Sequence, residues 1–208
     1  MNFLGHLWLA DQTSTSLAGA VLGDWLRGRI PDEYPAELGL GIALHRRVDA
    51  MTDAHPAIAK TREQFAAGDR RYAGIVLDVV ADHLLARRWI EFSNEKLGDF
   101  CGRCAADVEA HARWFDAAGG YAPSAREFER LLLSYVATDG IDRALQRTAQ
   151  RLRKPEGLMA AAHHWPAHAE ALAPRLPELL GDLSAAALAF VRDSATTPDL
   201  ARHRRPQS

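Results

Sequence analysis

Apolar residues run almost unbroken from Gly74 to Trp89, in the stretch GIVLDVVADHLLARRW. Up to Leu85 only Asp78, Asp82 and His83 interrupt them. Length, absence of Pro and near-continuous hydrophobicity predict a buried helix rather than a strand. The chain before it also reads as helix. Asn2 to Ala10 is short and apolar, with His6 as the polar residue among its hydrophobics. Thr13 to Ser16 is dense in N-cap residue types and introduces the helical run LAGAVLGDWLRG. There Asp24 is the only charge between Ser16 and Arg27, and Gly19 and Gly23, four apart, leave room for another helix to approach closely. Pro31 and Pro35 punctuate a loop, after which PAELGLGIALHRRVDAMTDAHP predicts a third long helix ended by Pro56.

The later chain continues the pattern. Ala57 to Ala67 reads as a helix, and Ser93 to Gly119 carries apolar residues at roughly helical spacing until Gly119-Gly120 stops it. Ser124 caps REFERLLLSYVA, and Asp139 starts a helix to Arg153. Met159 to Leu180 contains Pro166, Pro174 and Pro177 and so must kink or break, and Ala185 to Val191 closes the fold. Residues 194–208, with two Pro and a basic run, predict a disordered tail. The fold expected is all-α, a single-domain helical bundle over residues 1–193.

Composition narrows the function less than the pattern does. The 25 basic and 27 acidic side chains give a net charge of −2, which exerts no global pull toward nucleic acid or membrane. No run is long and apolar enough to span a bilayer, and MNFLGHLWLADQ lacks the basic leader and cleavage site of a signal peptide. Cys101 and Cys104 form a lone CxxC with no second pair to complete a zinc set, so free thiols in a reducing, cytoplasmic compartment are expected.

The candidate chemistry lies in the polar residues of the apolar helices. Asp78 and Asp82 share one helix face with His83 a step round, and burying them is costly without a partner. A divalent cation is one such partner; a buried ion pair or a hydrogen-bonded polar pocket is the other. His45 and Asp49 stand four apart on the third predicted helix, a spacing that serves either one ion or an ordinary ion pair. His6, Asp24, His45, Asp49, Asp78, Asp82 and His83 all fall in the first half of the chain, and the second half has no comparable set. Several segments each offering an inward His or Asp is what a metal site in a helical bundle requires. Imidazole with carboxylate and no thiol suits Mn, Fe or Mg better than structural zinc. His163, His164 and His168 have only Glu170 beside them and read as surface or packing residues.

Four blocks, MNFLGHLWLA, SLAGAVLGDWLRG, GIALHRRVDAMTDAHP and GIVLDVVADHLLARRW, resemble in order and spacing the acyl carrier protein phosphodiesterases. The likeness covers roughly the first half; beyond it the match is in helical character. It implies an all-helical fold like that of the HD-type metal-dependent phosphohydrolases. It also implies a divalent metal, typically Mn²⁺ with Mg²⁺ or Fe²⁺ as alternatives. The activity it implies is cleavage of the phosphodiester joining 4′-phosphopantetheine to a serine of holo-acyl carrier protein, a step bearing on fatty acid biosynthesis. The chain departs from the family pattern at Ala20, where Asn is usual, and at Trp8, where His is common. Asp82-His83 also reverses the His-Asp order of the wider superfamily.

On that basis His45, Asp78, Asp82 and His83 are the expected metal ligands. Asp24 or Asp49 is expected to orient water or hold a second ion, and His6 to act as acid toward the leaving oxygen. Basic clusters near these positions, chiefly Arg27, Arg46, Arg47 and Arg88, are expected to bind the acidic carrier protein and its phosphate. No nucleic acid or membrane partner is expected. The alternatives are an HD-type phosphohydrolase of a nucleotide or other small phosphoester, and a non-catalytic helical module with a structural ion site.

Overall fold

The computed structural model describes residues 1–196, and every regular element among them is helical. In chain order these are α1 (Phe3–Gln12), α2 (Leu17–Leu22), α3 (Ala36–Ala54), α4 (Pro56–Arg62), α5 (Ala73–Arg87) and α6 (Leu97–Ala110). There follow α7 (Ala112–Ala117), α8 (Ala125–Ser134), α9 (Thr138–Ala149), α10 (Pro155–Ala162), α11 (Trp165–Leu172) and α12 (Leu176–Thr196), with three short 3₁₀ turns between elements. The all-α architecture expected from the sequence is therefore present. Its last helix runs on to Thr196, past the expected boundary at residue 193. The remainder of the expected tail, 197–208, lies outside the described residues.

The apolar run at Gly74 becomes α5, and eleven of its fifteen residues are buried. It lies at the centre of the bundle, packed against α1, α4, α9, α10, α11 and α12. Leu77, Val80 and Leu85 are fully excluded from water, each contributing about 1.5–3 kcal/mol relative to an exposed side chain. The helix ends follow the local signals. The Ser16 hydroxyl accepts from Gly19 N, and Ser124 and Glu127 close a reciprocal capping box at the start of α8. The prolines after Met159 divide that stretch into α10, α11 and the start of α12.

The second predicted helix is shorter than its apolar pattern, because α2 stops at Leu22 and the chain turns through Gly23 to Trp25. It lies against α3 backbone to backbone. A Cβ on Gly19 would sit 2.7 Å from the Leu38 carbonyl oxygen, and one on Gly41 would sit 2.9 Å from that of Ser16. This approach sets the ends of α2 and α3 beside α1. Elsewhere, Cys101 and Cys104 are free and buried in α6, where burial pushes the Cys101 thiol up to about 12. His168 is buried and stacks on Phe65 at 3.7 Å between ring centroids, whereas His163 and His164 are exposed.

Candidate metal centre

Helix α1 is apolar on every side, and Leu4 to Ala10 are all buried. Its first N–H groups need acceptors that water cannot supply there. The Asn2 carboxamide oxygen accepts from Phe3 N at 3.0 Å. Asp82, reaching from α5 and fully buried, accepts from Leu4 N at 2.7 Å and from Gly5 N at 3.1 Å. Asp82 thus caps α1 from another helix, its charge lying at the positive end of the helix dipole. Burial pushes this carboxyl up to about 7, although the Met1 ammonium and the two N–H groups pull the other way. Both its oxygens serve α1.

That cap fixes the helix that carries His6. The His6 ring stacks almost parallel on that of His45, with centroids 3.8 Å apart. His45 enters from α3, and its Nδ1 lies 2.7 Å from the Ala20 carbonyl oxygen. A carbonyl only accepts, so Nδ1 carries a proton and Nε2 is the nitrogen turned toward Asp49. Gly23 makes room for the ring, since a Cβ there would fall 2.2 Å from His45 Cγ. One turn further along α3, Asp49 faces both rings. Its Oδ1 is 2.9 Å from His6 Nε2 and its Oδ2 is 3.2 Å from His45 Nε2. One donor atom from each of His6, His45 and Asp49 falls within 4.8 Å of the other two.

Two further carboxylates adjoin the trio. Asp24 Oδ1, just beyond α2, is 3.6 Å from His45 Nε2. Asp78 Oδ1, on α5, is 2.8 Å from the α-ammonium of Met1, which also lies 3.8 Å from Asp49 Oδ1. Desolvation raises the Asp24 carboxyl, partly offset by His45 and reinforced by Asp49. Asp49 is lowered despite its burial, because the rings of His45 and His6 both face it. His6 is pushed down to about 3, by burial first and then by its neighbour His45, so its imidazole is neutral at physiological pH.

The donor set fits a divalent cation. Both ring nitrogens of His6 are sealed from water and lack an aligned hydrogen-bond partner, although Asp49 lies 2.9 Å away. Buried imidazole nitrogens rarely go unpartnered. Two imidazoles and a carboxylate converging on one point give the unused nitrogen a partner if that point holds an ion.

The expected ligands do not all meet. His45 belongs to the trio, whereas Asp78 and Asp82 stand outside it, and His83 faces another way. Its Nδ1 lies 2.6 Å from the Tyr135 carbonyl oxygen and its ring meets Trp165 edge-on, which ties α5 to the end of α8 and to α11. Among the expected arginines, Arg27 lines an open cavity of about 610 Å³ beside Asp24 and Asp78. Arg46 instead donates to the Leu26 and Gly28 carbonyls, both at 2.7 Å, and Arg88 donates to the Ala173 carbonyl and pairs with Glu91. Arg47 is exposed.

The second half of the chain also reaches the site. Tyr135, Arg147 and Arg151 line the same cavity from the end of α8 and from α9 and the turn after it. Helical spacing puts the two arginines on one face, but nothing local to them signals that this face meets the metal end of the bundle.

An all-helical bundle with a candidate histidine–carboxylate centre beside an open, arginine-lined cavity belongs to the class of helical proteins able to hold a metal ion among facing helices. Comparison with known proteins narrows that class. The family model described as acyl carrier protein phosphodiesterase matches residues 1–183, and the chain belongs to that family. It is 41% identical over 160 residues to an acyl carrier protein phosphodiesterase of Yersinia pestis, covering 74% of this chain and 80% of the relative. Identity is 36% to relatives of the same name from Yersinia enterocolitica (83% and 90% covered) and Salmonella agona (84% and 91%). No solved structure matches the chain significantly.

Proposed function

We propose that this protein hydrolyses the phosphodiester between 4′-phosphopantetheine and the serine of holo-acyl carrier protein, using a divalent cation, Mn²⁺, held at His6, His45 and Asp49. The family supports the substrate. The observation that carries the metal reading is the convergence of two imidazole Nε2 atoms on the two oxygens of one carboxylate, with His6 otherwise unpartnered. Imidazole donors favour Mn²⁺ or Fe²⁺ over Mg²⁺. When bound, such an ion supplies a nucleophilic water at neutral pH and offsets phosphoryl charge.

Each residue then has a role that follows from its surroundings. His45 is held in the ligating tautomer by the Ala20 carbonyl. His6, expected as the acid, is neutral and better suited to the donor set. Asp24, half-exposed and raised, is placed to accept the proton of the attacking water, and Asp78 pairs with the Met1 ammonium at the edge of the cavity. Asp82 and His83, expected as ligands, position α1 and anchor α5 respectively. Water oxygen bonds to phosphorus as the P–O bond to serine breaks, and the serine oxygen takes a proton. Apo-carrier protein and 4′-phosphopantetheine are the products. No described helix is long and apolar enough to cross a membrane, and the free, buried thiols agree with a cytoplasmic setting.

The test is incubation of the purified protein with holo-carrier protein and Mn²⁺, followed by intact-mass spectrometry. Loss of the phosphopantetheine mass, abolished by chelator, is expected. A metal-loaded protein that leaves holo-carrier protein untouched would overturn the proposal.

A further inference from the structure

Tyr135 caps the C-terminal end of α8 and is 1% exposed. Its carbonyl is engaged from behind by His83 Nδ1 at 2.6 Å, which holds the main chain in place. The hydroxyl makes no hydrogen bond among the described residues, yet it is not among the sealed polar atoms, and the residue lines the cavity that Asp24 and Asp78 also line. Burial first, and then the charges of Asp82 and Asp24, hold the phenol well above its ordinary range, with Arg147 pulling the other way. Phenylalanine would pack as well and avoid a hydroxyl without a partner. The hydroxyl is therefore a donor turned to the cavity.

Its neighbours indicate what it donates to. Arg147 and Arg151 line the same wall and are exposed, and neither forms an ion pair among the described residues. Arg143, one turn before Arg147 on α9, pairs with Asp139 instead. The cavity thus joins a carboxylate side, next to the metal centre, to a wall with one free hydroxyl and two free guanidiniums. A phosphoryl group bound between them would meet the cation on one side and hydrogen-bond donors on the other.

We propose that Tyr135 is a substrate-contacting hydrogen-bond donor whose hydroxyl holds a non-bridging oxygen of the phosphodiester, with Arg147 and Arg151 supplying the matching positive charge. The phenol keeps its proton throughout. This assignment rests on the phosphodiesterase reading above.

Tyr135→Phe removes only the hydroxyl and leaves the ring and the carbonyl that receives His83. It is expected to lower kcat/KM about 10- to 100-fold on both holo-carrier protein and a small aryl phosphodiester, a range set by loss of one hydrogen bond to a charged group. Metal content and melting temperature should stay at wild-type values, and calorimetry should show weaker binding of 4′-phosphopantetheine. Wild-type kinetics and affinity in Tyr135→Phe would overturn the proposal. Should that variant lose stability as well, Arg147→Gln and Arg151→Gln decide, both being exposed. Weaker phosphopantetheine binding with unchanged melting supports the wall, and unchanged binding overturns it. The two readings fail separately. A wild-type protein that binds 4′-phosphopantetheine through Tyr135 but leaves holo-carrier protein intact would sink the phosphodiesterase reading and leave the subsite standing.

Discussion

Gly23→Ala places a methyl group where the ring of His45 now lies. The Cβ would fall 2.2 Å from Cγ, 2.3 Å from Cδ2 and 2.6 Å from Cβ of His45. The backbone at Gly23 is right-handed helical, with φ −53° and ψ −32°, so alanine meets no backbone strain and the clash acts alone. Ordinary contact begins near 3.4 Å, so the ring must retreat by roughly 1.2 Å. It cannot do so and keep both the 2.7 Å contact of Nδ1 with the Ala20 carbonyl and the 3.2 Å approach of Nε2 to Asp49. Overpacking of this kind costs about 1–3 kcal/mol, of which the Gly→Ala change in a helical backbone returns about 0.5–1. The larger effect is on the ligand, because a displacement of about 1 Å in a site of this kind costs on the order of 100-fold in activity. Metal affinity should fall about 10- to 100-fold, as it does when a group orienting a ligand is lost. Calorimetric Mn²⁺ titration and thermal unfolding of the chelated protein measure the two parts. In a His45→Gly background the Cγ, Cδ2 and Cβ contacts go together, so most of the stability cost of Gly23→Ala should disappear. Gly181→Ala, at an exposed position of α12 with nothing within 4 Å, is the control and should stabilise by up to about 1 kcal/mol. Wild-type metal affinity and melting temperature in Gly23→Ala would refute the steric coupling of α2 to the centre.

Other outcomes follow from the same geometry. His6 has its pKa lowered to about 3 in the folded chain, so the unfolded chain binds more protons between its own value near 6.5 and that value. Stability of the chelated protein should therefore fall as pH drops through this window, by up to about 1.4 kcal/mol per unit, and His6→Gln should flatten the slope in urea unfolding. With Mn²⁺ at 100 times its dissociation constant, chelation should remove about 2.7 kcal/mol, a melting shift of about 5–11 °C for a domain of this size; no shift would count against an ion at the centre. Arg27→Glu should raise KM for holo-carrier protein more than for a small phosphodiester, and added salt should mimic it. Arg46→Glu, which breaks two bonds to the Leu26 and Gly28 carbonyls, should instead show up as lost stability.

Much of the molecule was legible in one dimension because its signals are local. The nearly continuous apolar run from Gly74 to Ala86 reads as a buried helix, and it is the central one. The i,i+4 spacing of His45 and Asp49 puts them on one face wherever the helix lies, and both meet the candidate ion site. The glycines at 19 and 23 announced a close helix contact, which Leu38, Gly41 and His45 supply. Helix starts at Ser16 and Ser124 were visible for the same reason, since a cap satisfies N–H groups two or three residues away.

Direction and partnership were decided by the tertiary fold. Asp78, Asp82 and His83 look equivalent in sequence, as polar residues in one apolar helix, but Asp82 and His83 point about 100° apart and Asp78 lies about one turn before Asp82 on the same face, so each meets different neighbours. Asp82 meets the bare N–H groups of α1, His83 meets the Tyr135 carbonyl and Trp165, and Asp78 alone faces the cavity. His6, a lone imidazole in a short apolar segment, becomes a donor to the centre because α1 is docked by that Asp82 cap. Tyr135, Arg147 and Arg151 carry no local signal of a site at all. Packing of α9 against α5 brings them to a cavity whose other wall lies more than fifty residues earlier in the chain, and spacing along one helix cannot encode that approach.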